Sequence, residues 1–211
     1  MREHPILFKS ALVARILSGQ KTQTRRTNGL DYFSQNDPDN WHARFWDGFA
    51  YFHYKNCPTE REVRCPYGKA GDRLWVRETW QHSNFPLGPY EPDCDVFYRA
   101  DFLDDPLGPD LERSHDGIRR KWRSPLHMPR SACRLLLEVT RVRIERLRDC
   151  SEADASAEGL HAWRTTGADG YEDDGQSALE LFSDLWDNIN GAGSWTANPW
   201  VWAVEFRRIQ P

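Results

Sequence analysis

The sequence predicts an α+β fold, a small, mixed and strongly curved sheet or barrel with helices packed against it. Three observations lead there. Two segments place apolar residues at helical spacing: Leu12, Val13, Ile16 and Leu17 in one, Leu179, Phe182, Trp186 and Ile189 in the other. The closing segment alternates Trp200, Trp202, Val204 and Phe206 as a strand does, and Arg73-Leu74-Trp75-Val76-Arg77 is strand-like too. Helices and strands are interspersed without regular βαβ alternation, and no internal repeat is visible. A chain of 211 residues suits one well-buried core, so residues 1–211 are expected to form a single domain.

The elements follow in order. Ile6 to Phe8 reads as a short strand. Ser10 is placed to cap the first helix and Gly19 to close it. Gln20 to Arg26 is expected as an exposed turn running into a strand. From Thr27 to Arg64 no period is sustained, which suggests a long excursion from the core. The cluster from Cys65-Pro66-Tyr67-Gly68 to Gly71-Asp72 is a turn that launches the strand Arg73 to Arg77. Asp95 to Ala100 is another short strand, and residues 101 to 121, rich in Asp, Pro and Gly, read as a loop or lid. Arg134 to Leu147 reads as one long strand or a bent pair. Ser151 with Asp154 starts a short helix that runs through Glu158 and ends at Gly159, and Ser177 with Glu180 starts the last one, which ends at Gly191.

Composition narrows the function classes. No apolar run approaches the roughly 18 residues of a membrane helix, and Met1 to Phe8 lacks a secretory pattern, so a cytoplasmic protein is expected. The net charge of -4 argues against non-specific binding of nucleic acid. Five scattered cysteines (Cys57, Cys65, Cys94, Cys133, Cys150) fit no disulfide framework. Cys57 and Cys65, even with His53 upstream, match no paired-thiolate zinc spacing and read as buried or loop thiols. Neither a metal nor a cofactor is expected, and no obligate protein partner is inferred. Arginine outnumbers lysine 23 to 5, which makes the position of any one lysine informative.

The chemistry-bearing segment is Gly19-Gln20-Lys21-Thr22-Gln23-Thr24-Arg25-Arg26. Cations just beyond a helix end also suit the helix dipole, so the segment reads equally as a solvated cap. Glu158 separates the two readings. A carboxylate in the last turn of a helix opposes the dipole by roughly 0.3–1 kcal/mol, and Lys21 is a candidate cation to relieve that cost.

The spacing Gly19-x-Lys21-x-x-Thr24-x-Arg26 resembles the GxKxxExR signature of ASCH domains, with Thr24 where many members carry Glu. Gly71-Asp72-Arg73-Leu74-Trp75-Val76 is similar to that family's Gly-Asp strand. Leu137-Glu138-Val139-Thr140 through Ser151 to Glu158 resembles the strand-to-helix segment of the small bacterial ASCH amidohydrolases, and Val201 to Arg207 their closing strand. Cys65-Pro66-Tyr67-Gly68, Arg77-Glu78-Thr79-Trp80, His127-Met128-Pro129-Arg130 and Asn198-Pro199-Trp200 resemble phage and prophage ASCH proteins of about this length.

The resemblance implies a PUA-like β-barrel with a cleft beside the first helix. It also implies hydrolysis of N4-acetylcytidine, with Thr24, Lys21 and Glu158 in the catalytic roles. Thr22, Arg26, Trp75, Arg77 and Tyr98 are the candidate substrate-binding residues. Arg26 and Arg77 suit an oxyanion or a phosphate, while Trp75 and Tyr98 suit stacking on a base; each has a structural reading beside it, and His127 reads as a hydrogen-bonded loop residue. Residues 27–64 and 82–130 have no counterpart in the small enzymes and are expected as insertions. The expected partner is a modified cytosine nucleoside or RNA. An RNA-binding module and a nuclease-like activity are the alternatives. For a polymer, the basic run Arg119, Arg120, Lys121 and Arg123 is the relevant feature, offset by Asp101, Asp104, Asp105 and Asp110.

Overall fold

Five strands drawn from both ends and the middle of the chain make the central sheet of the computed structural model, which describes residues 1–84, 88–103, 122–166 and 172–209. In chain order the elements begin β1 (Glu3–Leu7), α1 (Ser10–Leu17), β2 (Gln23–Arg26), α2 (Asp31–Gln35), β3 (Trp41–Trp46), β4 (Phe49–Tyr54) and β5 (Glu60–Arg64). They continue with β6 (Arg73–Arg77), β7 (Trp80–His82), β8 (Val96–Tyr98), β9 (Leu136–Arg146) and α3 (Glu152–Ala157). The last are β10 (Trp163–Thr166), β11 (Glu172–Gln176), α4 (Ala178–Asn190) and β12 (Trp200–Ile209). An α+β fold is what the periodicity predicts, and it is what forms.

The central sheet has the order β1-β6-β9-β12-β2. Only β1 and β6 run parallel; β6–β9, β9–β12 and β12–β2 are antiparallel. The expected barrel does not close. Strands β1 and β2 are the two edges, and among the described residues no backbone ladder joins them. A side chain spans the gap instead: Arg26 Nη2 of β2 donates to the carbonyl of Leu7 in β1 at 2.8 Å, with its guanidinium 5.1 Å from the Phe8 ring. The edges therefore approach one another across a seam filled by side chains.

Residues 27–64 do not leave the core. Strands β3, β4 and β5 form an antiparallel sheet whose inner residues Trp41, Ala50 and Phe52 join Leu30, Phe33, Leu74, Trp200 and Trp202 in the main apolar cluster. Phe33 stacks on Phe52 with centroids 3.7 Å apart. Strand periodicity is hidden here because the outer face also carries aromatics, Trp46 and Tyr51 among them, so neither face reads as polar.

One smaller correction concerns the helices. Ser10 is the first residue of α1 rather than its cap; Lys9 holds that position and offers no side-chain acceptor. Both capping boxes form as expected, Ser151 with Asp154 and Ser177 with Glu180. Glu152 of α3 in addition accepts from the amides of Ala178 and Leu179, which fixes α3 against the start of α4. No helix among the described residues is long and apolar enough to cross a membrane.

The turn before β6 depends on Gly68, whose φ of +80° few side chains adopt. A Cβ there would lie 2.6 Å from Asp72 Oδ2 and 2.9 Å from His4 Nε2, and Asp72 is held by the amides of Arg2 and Lys69. Gly68→Ala is expected to cost about 1–3 kcal/mol. A thermal melt reads this as a lowered midpoint, and an unchanged midpoint would show the turn to be freely adjustable.

Candidate active site

The segment after α1 is buried, not the exposed turn expected from its composition. Lys21, Gln23, Thr24 and Arg25 are each 4% exposed or less. After Gly19, at φ +78°, the chain turns back so that the amides of Gln20 and Lys21 both donate to Arg15 O. Thr22 N then donates to Ala157 O at 2.8 Å, tying the segment to the end of α3. Gly159 permits the approach: a Cβ there would sit 3.1 Å from Lys21 Cβ. Strand β2 next pairs with β12, Thr24 opposite Val204 and Arg25 opposite Ala203.

This geometry delivers Lys21 to Glu158. Lys21 Nζ donates to Glu158 Oε2 at 2.6 Å, to Glu158 O at 3.1 Å and to Gln23 O at 2.7 Å. All three ammonium protons are thereby used. The carboxylate at the C-terminus of α3 has the cation its position calls for, and that cation also satisfies a terminal helix carbonyl. Burial pushes the Lys21 pKa below its ordinary value, although the charge and hydrogen bond of Glu158 act in the opposite direction.

Behind this pair lies a network that sequence reasoning did not find. Arg25 Nη1 is 3.3 Å from Glu158 Oε1 and 2.5 Å from Gln23 Oε1. Its Nε and Nη2 hold Glu145 Oε1 at 3.0 and 2.7 Å, and Nη2 lies 3.5 Å from Asp154 Oδ2. Gln23 Nε2 and Arg143 Nη2 both donate to Asp154 Oδ1, at 2.9 and 3.0 Å, and Arg143 also pairs with Glu145 and Glu205. The register explains the assembly. Arg25 and Arg143 lie on the strands flanking Ala203, both directly opposite it, so all three share one face and the small Ala203 leaves room between the guanidiniums. One trace is legible in the sequence: the alternation Arg141, Arg143, Glu145 on a strand otherwise marked by apolar residues.

A cleft of about 500 Å³ lies at the free edge of β2. It is lined by Lys21, Thr24, Arg25, Arg26 and Glu158, by Phe8 and Lys9 from the start of α1, and by an apolar wall of Phe182, Leu185, Trp186 and Ile189 from α4. Pro125 and Thr79 also line it. Thr24 is 1% exposed, and its hydroxyl makes no hydrogen bond among the described residues.

Lys21, Thr24, Glu158 and Arg26 thus meet at one cleft, and the other sequence candidates lie elsewhere. The Thr22 side chain is exposed, and only its backbone is engaged, by Ala157 and Phe206. Trp75 packs under the guanidinium of Arg77, 5.2 Å from its ring, and Arg77 donates to Leu126 O. Tyr98 donates to Ala132 O at 2.8 Å beneath Arg134, its phenol pushed up to about 12 by burial. None of these four lines the cleft. His127 is exposed in the turn Pro125–His127. Within the basic run, Arg119, Arg120 and Lys121 lie outside the described residues, as do Asp104, Asp105 and Asp110; Arg123 Nη1 lies 2.6 Å from His82 Nε2. Burial pushes the Cys65 thiol up to about 12, and no cluster suited to a metal is found among the described residues. Comparison with protein families, curated proteins and solved structures finds no match to this chain, so the geometry of the cleft is what bears on its function.

Proposed function

We propose that this protein hydrolyses the exocyclic amide of N4-acylated cytosine nucleosides, as a divergent ASCH protein of PUA-like ancestry with an unclosed barrel. The observation that carries the reading is the buried contact of 2.6 Å between Lys21 and Glu158, at a cleft that also holds an unpaired threonine hydroxyl. Threonine, lysine and carboxylate are the set that the motif resemblance implies. They come from segments 137 residues apart, so their meeting is not a product of local sequence. The cleft volume lies within the roughly 300–1,000 Å³ of small-molecule sites.

The chemistry runs through these three side chains. Burial holds the Lys21 pKa below its ordinary value, which favours the neutral amine that a general base requires. The Thr24 hydroxyl attacks the acyl carbon while its proton passes to Lys21. The ammonium so formed stabilises the tetrahedral oxyanion and then protonates the departing N4 amine. The acyl-threonine ester is hydrolysed by water through the same relay, releasing a carboxylic acid and restoring Thr24.

Incubating the protein with N4-acetylcytidine and, in parallel, with unmodified RNA tests this directly. Release of cytidine and acetate is expected, with the RNA left intact. Tight RNA binding with no cytidine released would transfer the cleft to the RNA-binding reading, and cleavage of the RNA to the nuclease-like one.

A further inference from the structure

Among the described residues four cations line the cleft, Lys9, Lys21, Arg25 and Arg26, against one carboxylate, Glu158. Lys21 and Arg25 are committed to that carboxylate. Lys9 and Arg26 form no ion pair among the described residues. A neutral acylated nucleoside gives these two no counter-charge, and we infer that the substrate carries one: the cleft takes a phosphomonoester of an N4-acylated cytidine, with the phosphate between Arg26 and the start of α1. This rests on the amidohydrolase reading above and narrows its substrate.

Three further observations support the placement. Arg26 spends its guanidinium on Leu7 O at 2.8 Å and, more weakly, on Arg25 O at 3.4 Å, which leaves N–H groups over beside the Phe8 ring. Lys9 follows two residues after Leu7, so both cations stand at the same rim of the cleft. Helix α1 begins there with no side-chain cap and no acidic residue in its first turn, so its leading amides and dipole add to the positive field. The cleft, at about 500 Å³, is of the size that holds one small molecule.

Calorimetry on the full chain with cytidine and with cytidine 5′-monophosphate separates this inference from the reading beneath it, because it requires no turnover. The monophosphate is expected to bind about tenfold or more tightly at low salt, a preference that shrinks as ionic strength rises. Lys9→Gln, at an exposed position, should shrink it as well, and Arg26→Gln further. Rates on N4-acetylcytidine, its 5′-monophosphate and a short oligoribonucleotide with an internal N4-acetylcytidine should favour the monophosphate. Equal binding of cytidine and its monophosphate, with N4-acetylcytidine still hydrolysed, overturns the phosphate site and leaves the amidohydrolase. Preferred binding of the monophosphate with neither acylated compound hydrolysed leaves the phosphate site and overturns the amidohydrolase. Faster reaction of the oligoribonucleotide overturns the restriction to a single nucleotide.

Discussion

Lys21→Ala lowers kcat/KM on N4-acetylcytidine by about 10²–10⁴-fold, the range over which a positioned general base contributes. Thr24→Ala, which removes the proposed nucleophile, is expected to fall at least as far. The double variant is little worse than either single one, because groups that act as a unit do not contribute additively. Glu158→Gln distinguishes two roles. The amide cannot receive the Lys21 proton, so a relay through Glu158 requires a loss close to that of Lys21→Ala, whereas a Glu158 that only orients Lys21 leaves a smaller one. Lys21 is fully enclosed, so Lys21→Met, which retains most of its volume, accompanies the alanine variant, and thermal melts of every variant establish folding. Full activity in Thr24→Ala would rule out covalent catalysis by this residue and give the cleft to the binding reading.

Arg25→Met is expected to cost about 3–5 kcal/mol, as breaking a buried ion pair does when the partner charge is left uncompensated. For a chain of this size that is a fall in melting midpoint of roughly 6–20 °C. The Arg25 side chain is inaccessible to solvent and its loss strips charge partners from Glu145, Asp154 and Glu158 together. Arg44→Met is the control: its pair with Glu60 is exposed, and such pairs contribute about 0–1 kcal/mol. The cost should also depend on pH, with a definite sign. Although burial acts to raise it, the Asp154 pKa is held below the ordinary carboxylate range by hydrogen bonds from Ser151 and Gln23 and by the charge of Arg25. A carboxylate with a lowered folded pKa contributes stability that is complete above its unfolded value of about 3.9 and is lost as pH falls through the folded value. Removing Arg25 removes part of that contribution, so the gap between wild type and variant is widest near neutrality and narrows below about pH 4. A gap of the same size at pH 3 and pH 7 would mean that Arg25 acts by packing and not by charge.

Much of the fold was legible because local rules spoke with one voice. Helix α4 has a capping box and an unbroken apolar stripe, and β6, β9 and β12 have strand-like runs bounded by turns or helix starts. Strands β3 to β5 were not legible, since Trp41 and Phe52 face the core while Trp46 and Tyr51 face outward, and apolar residues on both faces erase the period of two. At the site, Lys21 and Glu158 stand out in the sequence because each is out of place by itself: one is a rare lysine, the other an acid at the wrong end of a helix. Arg25 is one of 23 arginines, and nothing in its neighbours sets it apart. Its partners Glu145 and Asp154 lie 120 and about 130 residues away, and only the pairing of β2, β12 and β9 brings them within reach. Trp75, Arg77 and Tyr98 stand away from the cleft for a related reason: residue type suggests what a side chain can bind, but the register and tilt of a strand decide where it stands.

The seam between β1 and β2 gives this molecule a freedom that a closed barrel lacks. In a barrel, strand number and shear set the circumference together, and one residue cannot alter it. Here the two edges are joined by the reach of one arginine and the thickness of one phenylalanine ring. Replacing Arg26 is expected to alter the aperture while leaving the backbone ladders of the sheet in place, because its bridge to Leu7 is made by the side chain. The width of this opening is thus set by side chains, by Arg26 at the surface of the seam and by Phe8 where the seam meets the core against Phe206, so that only the first can change without disturbing the packing.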